Sequence, residues 1–277
     1  MRAWGRRSRA RPAQNVIFSG GSALKTILVT GASVGFGRAI AERFLHDGAR
    51  VIACARRMEP LQELAQRFPG RVLPLQLDVT DHAAIARAAR DLPAAFAAID
   101  VLVNNAGLAL GIAPAHETRI DEWDRMIATN CSGLVHVTRA FLPGMVARGS
   151  GTVINVGSVA GEFPYPGGNV YGATKAFVHQ FTQNLNADLI GTGVRATCLE
   201  PGLCGGTEFS EVRFGGDSER ALKIYAGTQP LTAQDIADTV HWIAMRPAHI
   251  TINVLSMMPN CQSFGGMAIK REPTPAV

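Results

Sequence analysis

The sequence predicts an α/β domain, a doubly wound parallel sheet of about seven strands with helices on both faces. Three observations predict it. From Lys25 onward, short apolar runs alternate with stretches of helical periodicity, the pattern of βαβ units. The glycine-rich turn from Gly31 to Gly37 falls where a first strand hands over to a helix. At 277 residues, with 47% apolar residues and 29 glycines, the chain can bury a large core and make many tight turns.

Each element has its own signal. Thr26–Thr30 reads as a buried strand, and Arg38–Asp47 as a helix closed by Gly48. Arg50–Ala55 is the second strand, followed by a helix over Pro60–Phe68 with proline in its first turn. Val72–Leu77 is the third strand, and Asp81 caps a helix running toward Leu92. Val101–Asn104 is the fourth strand, and a long helical stretch runs from Asp121 to Arg148. Thr152–Val156 is the fifth strand, followed by a helix over Val170–Ile190. Val194–Leu199 is the sixth strand, and a longer loop with a short helix (Ser218–Ala226) leads to a helix over Ala233–Ala244. Thr251–Ser256 is the seventh strand. No linker interrupts residues 25–277, which read as one domain without an internal repeat.

Charge and composition narrow the function classes. The net charge of +5 is concentrated at the front: residues 1–25 hold six basic side chains and no acid. The remainder, 21 basic against 22 acidic residues, nets −1, so a nucleic-acid partner has only the tail behind it. That Arg-rich, acid-free tail fits an organelle transit peptide or a disordered extension, and residues 1–24 are taken as the extension. No apolar run approaches the ~18–20 residues of a membrane span. The five cysteines show no paired spacing, so neither a disulfide framework nor a metal site is expected, and the setting expected is cytoplasmic.

The glycine turn carries the first chemical signal. Gly31 permits a tight turn, Gly35 lets backbone approach a pyrophosphate, and Gly37 lets helix pack on strand. Ser33 and Phe36 lie in the same segment, whose helix N-terminus offers unpaired N–H groups to phosphate. The second strand ends in Arg56-Arg57 where a carboxylate would accept the ribose 2′-OH of NAD. Two guanidiniums match a 2′-phosphate, so NADP is the expected cofactor, against the bland alternative of a solvated surface pair. Asp78, with Val79 beside it, closes the third strand and is placed to meet the adenine edge, although Asp78 equally suits a turn. After the fourth strand, Asn104-Asn105-Ala106-Gly107 offers small residues that let a loop lie close to the cofactor, and amides that can satisfy buried backbone groups.

Tyr171 and Lys175 sit four apart on a helix and so share a face. A free tyrosine titrates near ~10, and a fixed cation beside it favours the phenolate and moves it toward a working range. Alone, such a pair is more simply an interfacial tyrosine with a snorkelling lysine. Ser158, at the end of the fifth strand, lies thirteen positions upstream.

Taken in order, Thr-Gly-(x3)-Gly-x-Gly, Asn-Asn-Ala-Gly, Asn130, Ser158, Tyr-(x3)-Lys and Pro201-Gly202 resemble the short-chain dehydrogenase/reductase family, from Lys25 to about Met258. The resemblance implies a Rossmann-type fold and roles for these residues. Tyr171 would be the acid/base and Ser158 would hydrogen-bond the substrate oxygen. Lys175 would bind the nicotinamide ribose and lower the tyrosine pKa, and Asn130 would hold a relay water. Pro201, Gly202 and the backbone near Cys204 would line the nicotinamide, with Thr207 reaching its carboxamide. It also implies a homotetramer packed through the two long helices. The run from Glu200 to Ser210, then Val212-Arg213-Phe214, Met257-Met258-Pro259 and Gln262-Ser263, is similar to the NADP-dependent 3-hydroxy acid dehydrogenase group, which acts on serine and allo-threonine. Cys204 stands where an aliphatic residue is expected.

The resemblance implies an oxidoreductase for a small 3-hydroxy acid or its 3-oxo partner. The alternatives are a general carbonyl or 3-oxoacyl reductase, or an NADPH-sensing protein without turnover, which would need none of Ser158, Tyr171 and Lys175. A 3-hydroxy acid brings a carboxylate that must be satisfied. Arg213 is the fixed cation in the flanking loops able to clamp it, unless it pairs with Glu208 or Glu211 on the surface.

Overall fold

The computed structural model describes residues 25–264; the basic segment 1–24 and the end of the C-terminal tail lie outside the described residues. All five residues of β1 (Thr26–Thr30) are buried, as a strand covered on both faces requires. Their side chains alternate between two cores: Ile27 and Val29 point to one face of the sheet and Leu28 to the other. The same holds for β2 (Arg50–Ala55), β4 (Val101–Asn104) and β5 (Gly151–Val156), whose pairing is parallel throughout. With β3 (Val72–Gln76), β6 (Val194–Pro201) and β7 (Val254–Met257) they form a seven-stranded sheet in the order β3-β2-β1-β4-β5-β6-β7.

On one face, α1 (Gly35–His46) and α2 (Glu59–Arg67) bury Ile40, Phe44, Leu61 and Leu64. The other face is covered by α3 (His82–Asp91), whose cap Asp81 accepts from Ala84 N as the sequence predicts, and by two longer helices. The stretch expected from Asp121 begins as α4 (Ile120–Ile127) and passes through a π-helical turn over Ala128–Gly133. It continues as α5 (Leu134–Arg148), closed by Gly149 in the left-handed region. π turns often mark functional sites, and this one carries Asn130. The helix expected at Val170 is α6 (Asn169–Asp188). A helix the sequence reading did not anticipate, α7 (Phe209–Arg213), precedes α8 (Ser218–Lys223). Next comes α9 (Ala233–Ala244), which carries a Thr232/Asp235 capping box and packs Ile236, Val240 and Ile243 beside α1. β6 runs two residues past its expected end, to Pro201, because Glu200 and Pro201 pair with Ser256 and Met257. No helix among the described residues is long and apolar enough to cross a membrane.

Candidate active site

The strand order reverses between β1 and β4, so the loops leaving their carboxyl ends diverge and open a crevice. Gly31 and Gly35 line it with φ of 68° and 55°, conformations that L side chains adopt only under strain. A Cβ on Gly37 would lie 2.2 Å from the Gly31 carbonyl oxygen, so only glycine lets α1 start there. Asn105 donates to the carbonyls of Thr30 and Gly31 at 2.9 and 3.3 Å, and the Thr30 hydroxyl accepts from the N–H of Asn105 and Ala106, each at 3.0 Å. The two loops are thereby one floor. Above it, α1 begins without a side-chain cap at Val34 and without an acid in its first turn, leaving its N–H groups for an anion. Ser33 and Phe36 are half-buried in this cradle. A glycine floor and an uncapped helix start fit the pyrophosphate of NADP.

Arg56 and Arg57 are both exposed at the end of β2. Arg57 has a partner that its neighbours in sequence do not reveal: its Nη2 lies 2.9 Å from Glu208 Oε2, across the crevice mouth. Asp78 occupies the turn that the sequence left open as its alternative, accepting from the N–H and hydroxyl of Thr80 at 2.9 and 2.8 Å. Val79 is buried against Gly133 of the π turn. Asn104 turns inward, donating to Thr138 and Asn155 at 2.9 and 2.8 Å, so its neighbour Asn105 is the amide that satisfies loop backbone.

Around the crevice, α6 brings Tyr171 and Lys175 onto one buried face. Lys175 Nζ donates to the Val156 carbonyl at 2.8 Å and sits 5.8 Å from the Tyr171 ring centre. Asn130 donates to Leu108 O and to the Thr174 hydroxyl and accepts from Leu108 N, at 2.8, 3.0 and 2.9 Å, clamping the loop after β4 onto α6. A Cβ on Gly107 would come within 3.3 Å of Asn130 Oδ1 and 3.6 Å of Lys175 Nζ, so these three positions converge on one point. Ser158 caps a short 3₁₀ turn, accepting from Ala160 N at 3.1 Å, and donates only at 3.4 Å to Pro201 O.

The electrostatics correct one expectation. Burial pushes the Tyr171 phenol up to about 12, opposed by the Ser158 hydroxyl and the Arg213 guanidinium. Burial also pushes Lys175 down to about 8. The Tyr171 phenol therefore keeps its proton here. The Arg213 guanidinium favours its phenolate.

The substrate side is built from distant segments. Arg213 donates to Tyr165 OH at 2.8 Å and to Gly111 O at 3.2 Å, with its guanidinium 5.7 Å from the Tyr171 ring centre. Neither Glu208 nor Glu211 pairs with it; Glu208 is taken by Arg57. Phe209 of α7 lies 5.9 Å from the Tyr171 ring, and Thr207 packs over Gly35, 3.3 Å from a Cβ there. Pro201 and Gly202 are held by Met257 O, which accepts from Gly202 N at 2.8 Å, and by Gln262, which accepts from Leu203 N at 2.6 Å. Burial pushes the Cys204 thiol up to about 12, so it is a packing group rather than a nucleophile. Tyr165 and Gly111 are site residues that the sequence reading did not pick out; it had Asn105 as a loop amide and Glu208 as a rival partner for Arg213. Tyr165 lies in a Gly/Pro-rich segment, Pro164 to Gly168, that reads only as a loop.

The family model for short chain dehydrogenases matches residues 25–215. The NADP-dependent 3-hydroxy acid dehydrogenase YdfG of Salmonella typhi is 56% identical over 88% of this chain and 99% of its own length. The serine 3-dehydrogenase of Rhizobium radiobacter is 49% identical over 89% of this chain and 98% of its own. Among solved structures, the closed form of a serine dehydrogenase complexed with NADP+ is 54% identical, with a TM-score of 0.88 over 89% of this chain and 100% of that one.

Proposed function

The chain belongs to the short-chain dehydrogenase family, and we propose that it interconverts a small 3-hydroxy acid, of the serine, allo-threonine or 3-hydroxypropionate kind, and its 3-oxo acid. It is an NADP-dependent oxidoreductase acting on a CH–OH group. NADP, when bound, supplies or accepts the hydride. Gly31, Gly35 and Gly37 make room for its pyrophosphate, Arg56 and Arg57 face its 2′-phosphate, and Pro201, Gly202 and Thr207 line its nicotinamide end. In the reducing direction Tyr171, neutral in its buried seat, gives its proton to the carbonyl oxygen, which the weakly held Ser158 hydroxyl orients. Lys175 holds the nicotinamide ribose, and Asn130 fixes the loop over which a relay water reaches Lys175.

The observation that carries the substrate class is the Arg213 guanidinium. It is half-buried beside Tyr171, anchored by Tyr165 and Gly111, and without a carboxylate partner among the described residues. A cation held there supports recognition of an acid whose hydroxyl carbon reaches Tyr171. Initial rates with NADP+ across 3-hydroxy acids and neutral alcohols of similar size test this. Arg213→Met should raise KM for the acids at least ~10-fold, the equivalent of ~1.4 kcal/mol, and spare the alcohols. Equal losses on both would leave a general carbonyl reductase.

The exposed Ile127, Val146 and Phe177 along α4–α6 support a homotetramer, which a monomeric mass at micromolar concentration would contradict. The free cysteines support a reducing, cytoplasmic setting. Residues 25–277 are read as the whole catalytic domain, so removing residues 1–24 should leave activity intact.

A further inference from the structure

We propose that His179, Cys198 and Glu200 form a second site, a buried site for a zinc-class divalent cation behind the catalytic helix. The placement follows from two periodicities. Tyr171, Lys175 and His179 are spaced by four on α6 and share one face. Cys198 and Glu200 are two apart on β6, so both point to the face that α6 covers. His179 Nδ1 lies 2.7 Å from Glu200 Oε1, Cys198 Sγ lies 3.6 Å from the same oxygen, and the ligand atoms of all three fall within 4.8 Å of one another.

The carboxylate calls for a cation. Glu200 is fully buried, and its Oε2 has no hydrogen-bond partner. An unpartnered buried carboxylate oxygen is costly, and a metal ion would take it. One nitrogen, one sulfur and one carboxylate oxygen are the donor set of zinc rather than of magnesium or calcium. Zinc bond lengths place tetrahedral ligand atoms roughly 3.3–3.7 Å apart, so Cys198 already stands at the right separation from the carboxylate, and His179 Nδ1 must draw back from its 2.7 Å hydrogen bond. Gln183 stands at His179 Nε2. With its amide oxygen toward the ring it accepts the Nε2 proton and leaves Nδ1 free to ligate, as outer partners of a metal-bound histidine do. Cys198 must ligate as the thiolate, so binding displaces its proton. His179 is only half-buried and gives the ion its way in, and a water completes the coordination.

The inference is independent of the substrate assignment, and its test does not read turnover. The full chain, stripped with a chelator and dialysed, is titrated with ZnCl2 alone and, as a spectroscopic probe, with CoCl2. Expected are one tightly bound ion per chain and a thiolate-to-cobalt absorption band in the near ultraviolet. His179→Gln should weaken binding at least ~100-fold, and Cys198→Ser should abolish the band, with NADPH binding showing that each variant is folded. Absence of the band in the unaltered chain overturns the site. So does its survival in Cys198→Ser, which would put the metal on another thiol, or unchanged affinity in His179→Gln.

Discussion

The dinucleotide end and the substrate end of the crevice are made in different ways. The first is backbone and small side chains: Gly31, Gly37 and Ala106 are fixed by bonds among Thr30, Asn105 and the loop carbonyls, all within adjacent strand ends. The second is long side chains reaching across the chain, Arg213 to Gly111 and Tyr165 and Gln262 to Leu203 N, with the Arg57–Glu208 pair at the mouth between the two ends. The first surface has no freedom to vary without losing the turn. The second hangs on single, part-buried contacts and can be altered one side chain at a time. A site of this kind keeps its cofactor while its substrate changes.

The strongest test of that contrast is at the residue where both ends meet. Tyr171→Phe keeps the ring against Phe209 but removes the transferable proton, and turnover should fall at least ~10²-fold while NADPH binding persists. Near-normal rates in a pure preparation would remove Tyr171 as the acid.

Next come two glycines. Gly37→Ala drives a methyl into the Gly31 carbonyl and should cost about 3 kcal/mol in denaturant unfolding. Gly206→Ala, at φ 71° on the substrate side with no atom nearby, should cost about 1 kcal/mol. Equal costs would erase the distinction between a packed floor and a loosely held wall.

Lys175 gives a pH signature of the packed end. Its folded-state pKa, about 8, lies below the ordinary 10.5, so between these values the unfolded chain holds a proton that the folded chain has lost. Stability without added dinucleotide should therefore rise with pH through that window, by on the order of 3 kcal/mol at most. Below pH 8 the cost of burying the charge is fully present. Lys175→Met should flatten the rise, measured as the difference between the two proteins' unfolding curves at pH 8 and pH 10; parallel curves would mean the ammonium is hydrated.

The smallest effects belong to the crevice mouth. Arg56→Asp should raise KM for NADPH well above any change for NADH, and an unchanged preference would rule out the pair as the discriminator. Glu208→Gln releases Arg57 from an exposed ion pair, so KM for NADPH should fall by no more than ~5-fold, since such pairs contribute about 1 kcal/mol or less. A rise would show that Glu208 positions the guanidinium rather than competing for it.

The sequence by itself determined the sheet, the cradle and the helix of Tyr171 and Lys175, because each is written in a local period. Apolar runs bury on both faces of a parallel strand, glycines take the positive φ of Gly31 and Gly35, and a spacing of four puts Tyr171 and Lys175 together. The tertiary structure decided everything that depends on who lies opposite whom. It broke the helix at Asn130 with a π turn, turned Asn104 inward and Asn105 toward the loop, gave Glu208 to Arg57, and brought the Arg213 guanidinium beside the Tyr171 ring. It also gathered His179, Cys198 and Glu200, whose spacing along the chain resembles no metal motif. These outcomes are set by burial and by the packing of elements far apart in sequence. No local period encodes the desolvation that raises a phenol and lowers an ammonium by comparable amounts.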